Sequence, residues 1–226
     1  MERLRTPLLA ILVVLLAGGG LVFVFASAAA PAYACTSVDA VEAPVAGELG
    51  QVQPDMGSGH VQAGDKVTYP VCPPASGKHL NKLGYGPLTP KVYGPDDGST
   101  PNGWVHNLEH GGLVLLYSCT KGACDDKAIA DLQAFSNSFP ASAVCAIPAG
   151  NVGPVIARFE EMPTRFAALI WDRVLYLDTL DTAKIGAFYT RYAERLDSAG
   201  KWIAPPEPQC AAPTPSASAA PTPTPS

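Results

Sequence analysis

The chain has 226 residues, 20 of them acidic and 15 basic, for a net charge of −5, and only 15% of residues are charged. With no basic run beyond the N-terminus, this balance argues against nucleic acid as the partner. The length fits one full domain plus appendages, and the bias toward proline (23 residues) and away from charge is concentrated at the two ends.

Arg3 and Arg5 precede an uncharged stretch from Leu8 to about Ala32, with Leu, Val, Ile and Phe packed between positions 8 and 25. The run is long for a secretory h-region of roughly 7–15 residues and close to the roughly 20 that span a bilayer. It reads first as an uncleaved membrane anchor and second as a signal cleaved at Ala32-Tyr33-Ala34. A lipidated Cys35 is a weaker third reading, because Tyr33 is bulky where such sites want small residues. Basic charge ahead of the helix keeps the N-terminus in the cytoplasm, so all three put the domain outside, single-pass at the membrane or secreted. Six cysteines (Cys35, Cys72, Cys119, Cys124, Cys145, Cys210) agree with an oxidising compartment and allow 15 full pairings. Cys119 and Cys124 are the easiest local pair, since the Thr-Lys-Gly-Ala between them can turn back.

The expected organisation is an anchor or signal over 1–34, a linker over 35–54, an α/β domain over 55–208 and a disordered Pro/Ser/Thr/Ala tail over 209–226. Asp55 to Val61 is a glycine-bent loop delivering His60, and Val61–Tyr69 a short strand with a turn at Gly64-Asp65. Tyr69 to His79 cannot be helix, because prolines 70, 73 and 74 lack donors, and this ordered segment brings in His79. Leu80 to Thr100 is a long loop with Tyr85 and Tyr93 as packing anchors. Asn102 as N-cap and Gly111 as C′ bound a two-turn helix on which His106 and His110 share a face. Gly112–Tyr117 is a strand buried on both faces, 124–138 an amphipathic helix stopped by Pro140, and Ala143–Ile147 a second buried strand, parallel to the first. Arg165–Trp171 and Val174–Leu177 form a hairpin around Asp172-Arg173, and Thr179–Arg195 is the last helix, with Ile185, Phe188, Tyr189 and Tyr192 inward. Trp202–Pro208 then wraps back over the domain.

Four pieces of this chain, in order, resemble the bacterial domain-of-unknown-function family numbered 3105. They are Met56-Gly-Ser-Gly-His60-Val, Pro73-Pro-Ala-Ser-Gly-Lys-His79, Val105-His-Asn-Leu-Glu-His-Gly-Gly-Leu-Val114, and a strand ending in Trp171 before the last helix. His60, His79, His106, Glu109 and His110 each fall on a motif position, and the likeness covers about Gln51 to Pro208. Ala75 and Lys78 depart from the Thr and Pro usual there, and Cys119 and Cys124 occupy a turn where Tyr-x-Pro is commoner. The resemblance implies an exported, membrane-linked domain and brings no established activity.

All four histidines lie in glycine- or proline-shaped segments, where a constrained backbone can hold a ligand. The leading expectation is therefore a transition-metal site of His60, His79, His106 and His110, with Glu109, Met56 and Met162 as supporting or alternative ligands. Copper or zinc is the expected ion, copper being favoured by the two thioethers. The alternative is a non-catalytic structural or interaction domain with a His/Glu hydrogen-bond cluster. Two enzyme readings remain beside these. His106-Asn-Leu-Glu-His110 matches the string of inverted zinc peptidases, but a strand follows at once. The strand–helix–strand–hairpin–helix order is thioredoxin-like, with Cys119 and Cys124 between strand and helix, although four intervening residues are not Cys-x-x-Cys. Trp104 and Trp171 read as core, Ser76 as a turn residue and Glu160-Glu161 as a solvated turn.

Overall fold

The computed structural model describes residues 33–213. The apolar stretch Leu8–Ala32 and most of the tail lie outside the described residues, among which no helix is long and apolar enough to cross a membrane.

The domain is α/β and is built on β6 (Val114–Tyr117), the buried apolar run after the Gly111-Gly112 pair. The pleat of β6 alternates its side chains between two cores. Leu113, Leu115 and Tyr117 face one core with Leu132, Phe135, Ile185 and Phe188, while Val114 and Leu116 face another with Tyr69, Trp104, Val105 and Leu108. A strand so covered has no solvent face, which is why the sequence shows a continuous apolar run rather than alternation. Around it the five-stranded sheet runs β2-β9-β8-β6-β7, adding β2 (Gln51–Val52), β7 (Val155–Arg158), β8 (Phe166–Ile170) and β9 (Arg173–Leu177). Only β6 and β7 are parallel, with Val114 opposite Val155; the β8–β9 hairpin turns through Trp171-Asp172, Asp172 having φ of 57°.

Among the described residues, three helices cover the sheet: α1 (Pro101–Glu109), α2 (Asp126–Asn137) and α3 (Thr182–Tyr192). Asp125 caps α2 by accepting from Ala128 N, and Asp181 caps α3 through Lys184 N. The inner face of α3 is Ile185, Phe188, Tyr189 and Tyr192, all buried, as the spacing predicts. The start of α1 differs from expectation. Thr100 is its N-cap and Pro101 its first residue, so Asn102 lies inside the helix; proline's fixed φ sets the first turn two residues earlier than an Asn102 cap would. Gly111, at φ +84°, does follow the helix as C′.

Other expectations need correction. Ala143–Ile147 is a turn, not a strand. Ser142 N and Ile147 O close it, and Val144 and Cys145 give their N–H groups to the Glu194 carboxylate instead of a ladder. The strand that pairs parallel with β6 is β7, and its outer edge is covered by the 80–100 loop through Tyr93 N to Ile156 O and Ile156 N to Lys91 O. Tyr85 is exposed rather than an anchor, and Asn107 ties that loop to α1, through bonds to both backbone groups of Leu88. The expected linker carries β1 (Tyr33–Val38) and β2, and β1 pairs in parallel with β4 (Val67–Cys72). Cys35 is disulfide-bonded to Cys72, which leaves no sulfur for the lipid of the third N-terminal reading. The other disulfides are Cys119–Cys124, the local pair, and Cys145–Cys210, which carries the ordered chain two residues past the expected Pro208 boundary. All six cysteines are thus paired, as suits an extracytoplasmic, oxidising compartment.

Candidate metal centre

Two short strands, β3 (His60–Val61) and β5 (His79–Leu80), create the first half of the site. They pair in parallel with His60 opposite His79, extended by Gly77 N to Gly57 O (2.7 Å) and His79 N to Gly59 O (3.0 Å). Register neighbours on a parallel pair present side chains to the same face, and the two rings stand 5.0 Å apart. Gly77 takes φ +119°, and a Cβ there would meet the Tyr69 ring at 3.0 Å, so both the backbone conformation and the space favour glycine. The Pro73–Lys78 segment is fixed from behind: Gln53 accepts from Ala75 N and donates to Pro73 O, and Ser76 Oγ accepts from Met56 N.

The second half is the last turn of α1. His106 and Glu109 are buried there, and His110, the C-cap, is only partly covered. The centroid of the His106 ring lies 4.9 Å from that of His79, 5.1 Å from His60 and 4.9 Å from His110. One ligand atom from each of His60, His79, His106 and Glu109 lies within 4.8 Å of the others. That is near the roughly 4 Å separating donors across an ion with bonds of about 2.0–2.2 Å. His110 joins a second group, with Glu109 and Glu207, and touches the first through His106.

The hydrogen bonds fix which ring nitrogen carries the proton. A carbonyl can only accept, so His79 Nδ1–H donates to Gly77 O (2.8 Å) and His106 Nδ1–H to Leu80 O (2.8 Å). His110 Nδ1 lies 2.7 Å from the Gln209 amide nitrogen, a donor, and 3.2 Å from Glu207 O, and the closer partner puts the His110 proton on Nε2. Neutral His79 and His106 carry a lone pair on Nε2. His79 Nε2 faces Glu109 Oε2 at 2.8 Å, and His106 Nε2 faces His110 Nε2 at 3.0 Å. The first is an acceptor-to-acceptor contact at hydrogen-bond distance and requires a proton or a metal cation between the partners, whereas in the second His110 Nε2–H can donate to His106 Nε2. Burial holds His106 below the ordinary imidazole value, against the pull of its bond to Leu80 O, which favours the neutral ring. His60 is the most open member, 40% exposed, with Nε2 at 3.7 Å from Glu109 Oε2 and the Asn81 amide 3.5 Å from Nδ1. Solvent reaches the cluster from its side.

Met162 is buried in the apolar core with Trp104 and Phe159, and Met56 packs beside Gly77. Glu109, expected in support, instead sits among the imidazoles. Sequence reasoning missed the carbonyls of Gly77 and Leu80 and the strap residues Glu207 and Gln209; a glycine two places before a histidine was the one visible signal. Glu160 is also not a solvated turn. It accepts from Ser118 Oγ, Thr120 Oγ1, Cys119 N, Thr120 N and Arg158 Nε, bracing the Cys119–Cys124 loop.

Fold and site together define a disulfide-bonded α/β domain with a His/Glu cluster of metal-binding geometry. A family model described as protein of unknown function (DUF3105) matches residues 60–204, and the chain belongs to that family. The match starts at His60 and takes in His79, His106, Glu109 and His110. No curated protein and no solved structure matches the chain.

Proposed function

We propose that the protein binds a divalent transition-metal ion outside the cytoplasm, through His60, His79, His106 and Glu109, with copper(II) and zinc the first ions to test. The observation that carries this is the acceptor-to-acceptor contact of His79 Nε2 with Glu109 Oε2, beside which His60 and His106 bring further ring nitrogens. Backbone carbonyls behind Nδ1 of His79 and His106 are the usual orienting partners of ligating histidines, and an ion at the Nε2 side resolves the His79–Glu109 contact. A carboxylate among the imidazoles favours a divalent ion over copper(I). The N-terminal apolar stretch would hold the domain at the membrane. The order β6-α2-β7-β8-β9-α3, with β9-β8-β6-β7 adjacency, supports a thioredoxin-like architecture. Thiol exchange at Cys119–Cys124 gains less support, because the Glu160 carboxylate bonded to Cys119 N disfavours a thiolate beside it. For a hydrolase, α1 ends at Glu109, too short to carry the whole His-x-x-Glu-His string.

Metal analysis and calorimetric titration of the full chain, made without an affinity tag, test the reading. One ion per chain, lost in His79→Ala, supports it. A chain that binds neither zinc nor copper tighter than millimolar leaves a structural cluster in which a protonated His79 pairs with Glu109.

A further inference from the structure

After β11 (Trp202–Ala204), which pairs with β10 (Arg195–Leu196), the chain crosses the C-terminal end of α1 as a strap, Pro205–Cys210. Prolines at 205, 206 and 208 stiffen it. Its main chain is held to the metal-site end of α1. Glu207 N–H donates to Glu109 O (3.1 Å), and Glu207 O lies 3.2 Å from His110 Nδ1. The Gln209 amide reaches the same His110 nitrogen at 2.7 Å. Pro205 closes on Gly111 so tightly that a Cβ there would lie 3.1 Å from the proline ring. The strap ends in the Cys145–Cys210 disulfide, and the Cys145 side is itself fixed, because the buried Glu194 carboxylate accepts from Val144 N and Cys145 N. The strap meets the His110 ring at its Nδ1 edge, so Nε2 faces His106 Nε2, 3.0 Å away, and a metal taking the Nε2 position would leave the ring proton on Nδ1, where Glu207 O can accept it.

Building on the metal-binding reading above, we propose that the strap is a disulfide-latched clamp on the metal centre: the Glu207 backbone aims His110 Nε2 into it as a further ligand, and the Cys145–Cys210 bond keeps it aimed. Glu207 is a positioning residue, acting through His110. A dithiol reductant would open the latch by giving two electrons and two protons to the Cys145–Cys210 bond. Two thiols result, the reductant leaves as its own disulfide, and the freed strap lets His110 turn away. Metal affinity is thereby tied to the redox state of one disulfide, with Cys119–Cys124 at the opposite end of β6 serving as the internal control.

The test uses the full chain, with zinc affinity measured by chelator competition and the ligand set read from the cobalt(II) absorption spectrum. Cys145→Ser/Cys210→Ser should bind zinc about 10–100-fold more weakly, the range for lost orienting partners, and its cobalt spectrum should match that of His110→Ala. Cys119→Ser/Cys124→Ser should keep the wild-type affinity and spectrum. Should the first double variant fail to fold, Glu207→Pro removes the N–H bonded to Glu109 O and is read the same way. A wild type that binds while Cys145→Ser/Cys210→Ser matches it, or two disulfide variants that weaken alike, overturns the clamp alone. A wild type that takes up no metal overturns the centre and the clamp together.

Discussion

Two carboxylates stand near opposite ends of β6, and their surroundings differ in kind. Glu160 is met by five donors from Ser118, Cys119, Thr120 and Arg158. Glu109 is buried with only imidazoles around its carboxylate, and among the described residues no Lys or Arg pairs with it. A carboxylate surrounded by donors is finished, and its work is to hold a loop. One surrounded by rings whose protons are committed elsewhere is short of positive charge, because burying an unpaired ion costs several kcal/mol. The lesson is that the shortage, more than the burial, marks the functional end of the molecule.

Breaking the comparison at Glu109 should have the largest effect. Glu109→Gln is expected to lower zinc affinity by more than the roughly 10–100-fold seen for orienting groups. In the metal-free protein the same change should leave the thermal midpoint unchanged or raise it, because it removes an uncompensated charge. If Glu109 instead pairs with a protonated His79, the metal-free variant will lose about 3–5 kcal/mol, the cost of breaking a buried pair. Denaturant unfolding with and without chelator separates these outcomes. Saturation with metal at about 100 times the dissociation constant should then stabilise the wild type by about 2.7 kcal/mol and leave Glu109→Gln unmoved.

At the other end the signs reverse. Glu160→Gln should destabilise the protein by about 1–3 kcal/mol through its stranded donors and leave metal affinity untouched. Acid sharpens the contrast. Although burial pushes the Glu160 carboxyl up, the bonds from Ser118, Thr120 and Arg158 outweigh it and bring the group from 4.5 down to about 2. Its folded value is the lower one, so its stabilisation is complete above pH 4.5 and fades as pH falls toward 2. Wild-type unfolding free energy should fall across that window more steeply than that of Glu160→Gln. Least of all, Asp125→Ala should cost about 1 kcal/mol by uncapping α2, without altering metal binding.

Much of this was legible in the chain. The β8–β9 hairpin, α2, α3 and the continuous run of β6 were written in short-range periodicity, and the histidines in motif positions. The errors have one cause. Ala143–Ile147 has strand composition, but its N–H groups are taken by Glu194, about fifty residues later, which no local pattern announces. For the same reason Glu109 read as a supporting residue: only the approach of the His79 strand puts an imidazole against its carboxylate.

By itself, then, the sequence determined the types and order of most elements, the oxidising chemistry of the domain and which side chains were available to a metal. The tertiary structure alone decided that β3 and β5 pair with His60 opposite His79, that backbone carbonyls turn Nε2 of His79 and His106 inward, and that a strap tied through Cys145–Cys210 lies against His110. Periodicity records which face of an element is apolar, whereas convergence depends on register between segments tens of residues apart, and register is settled by packing.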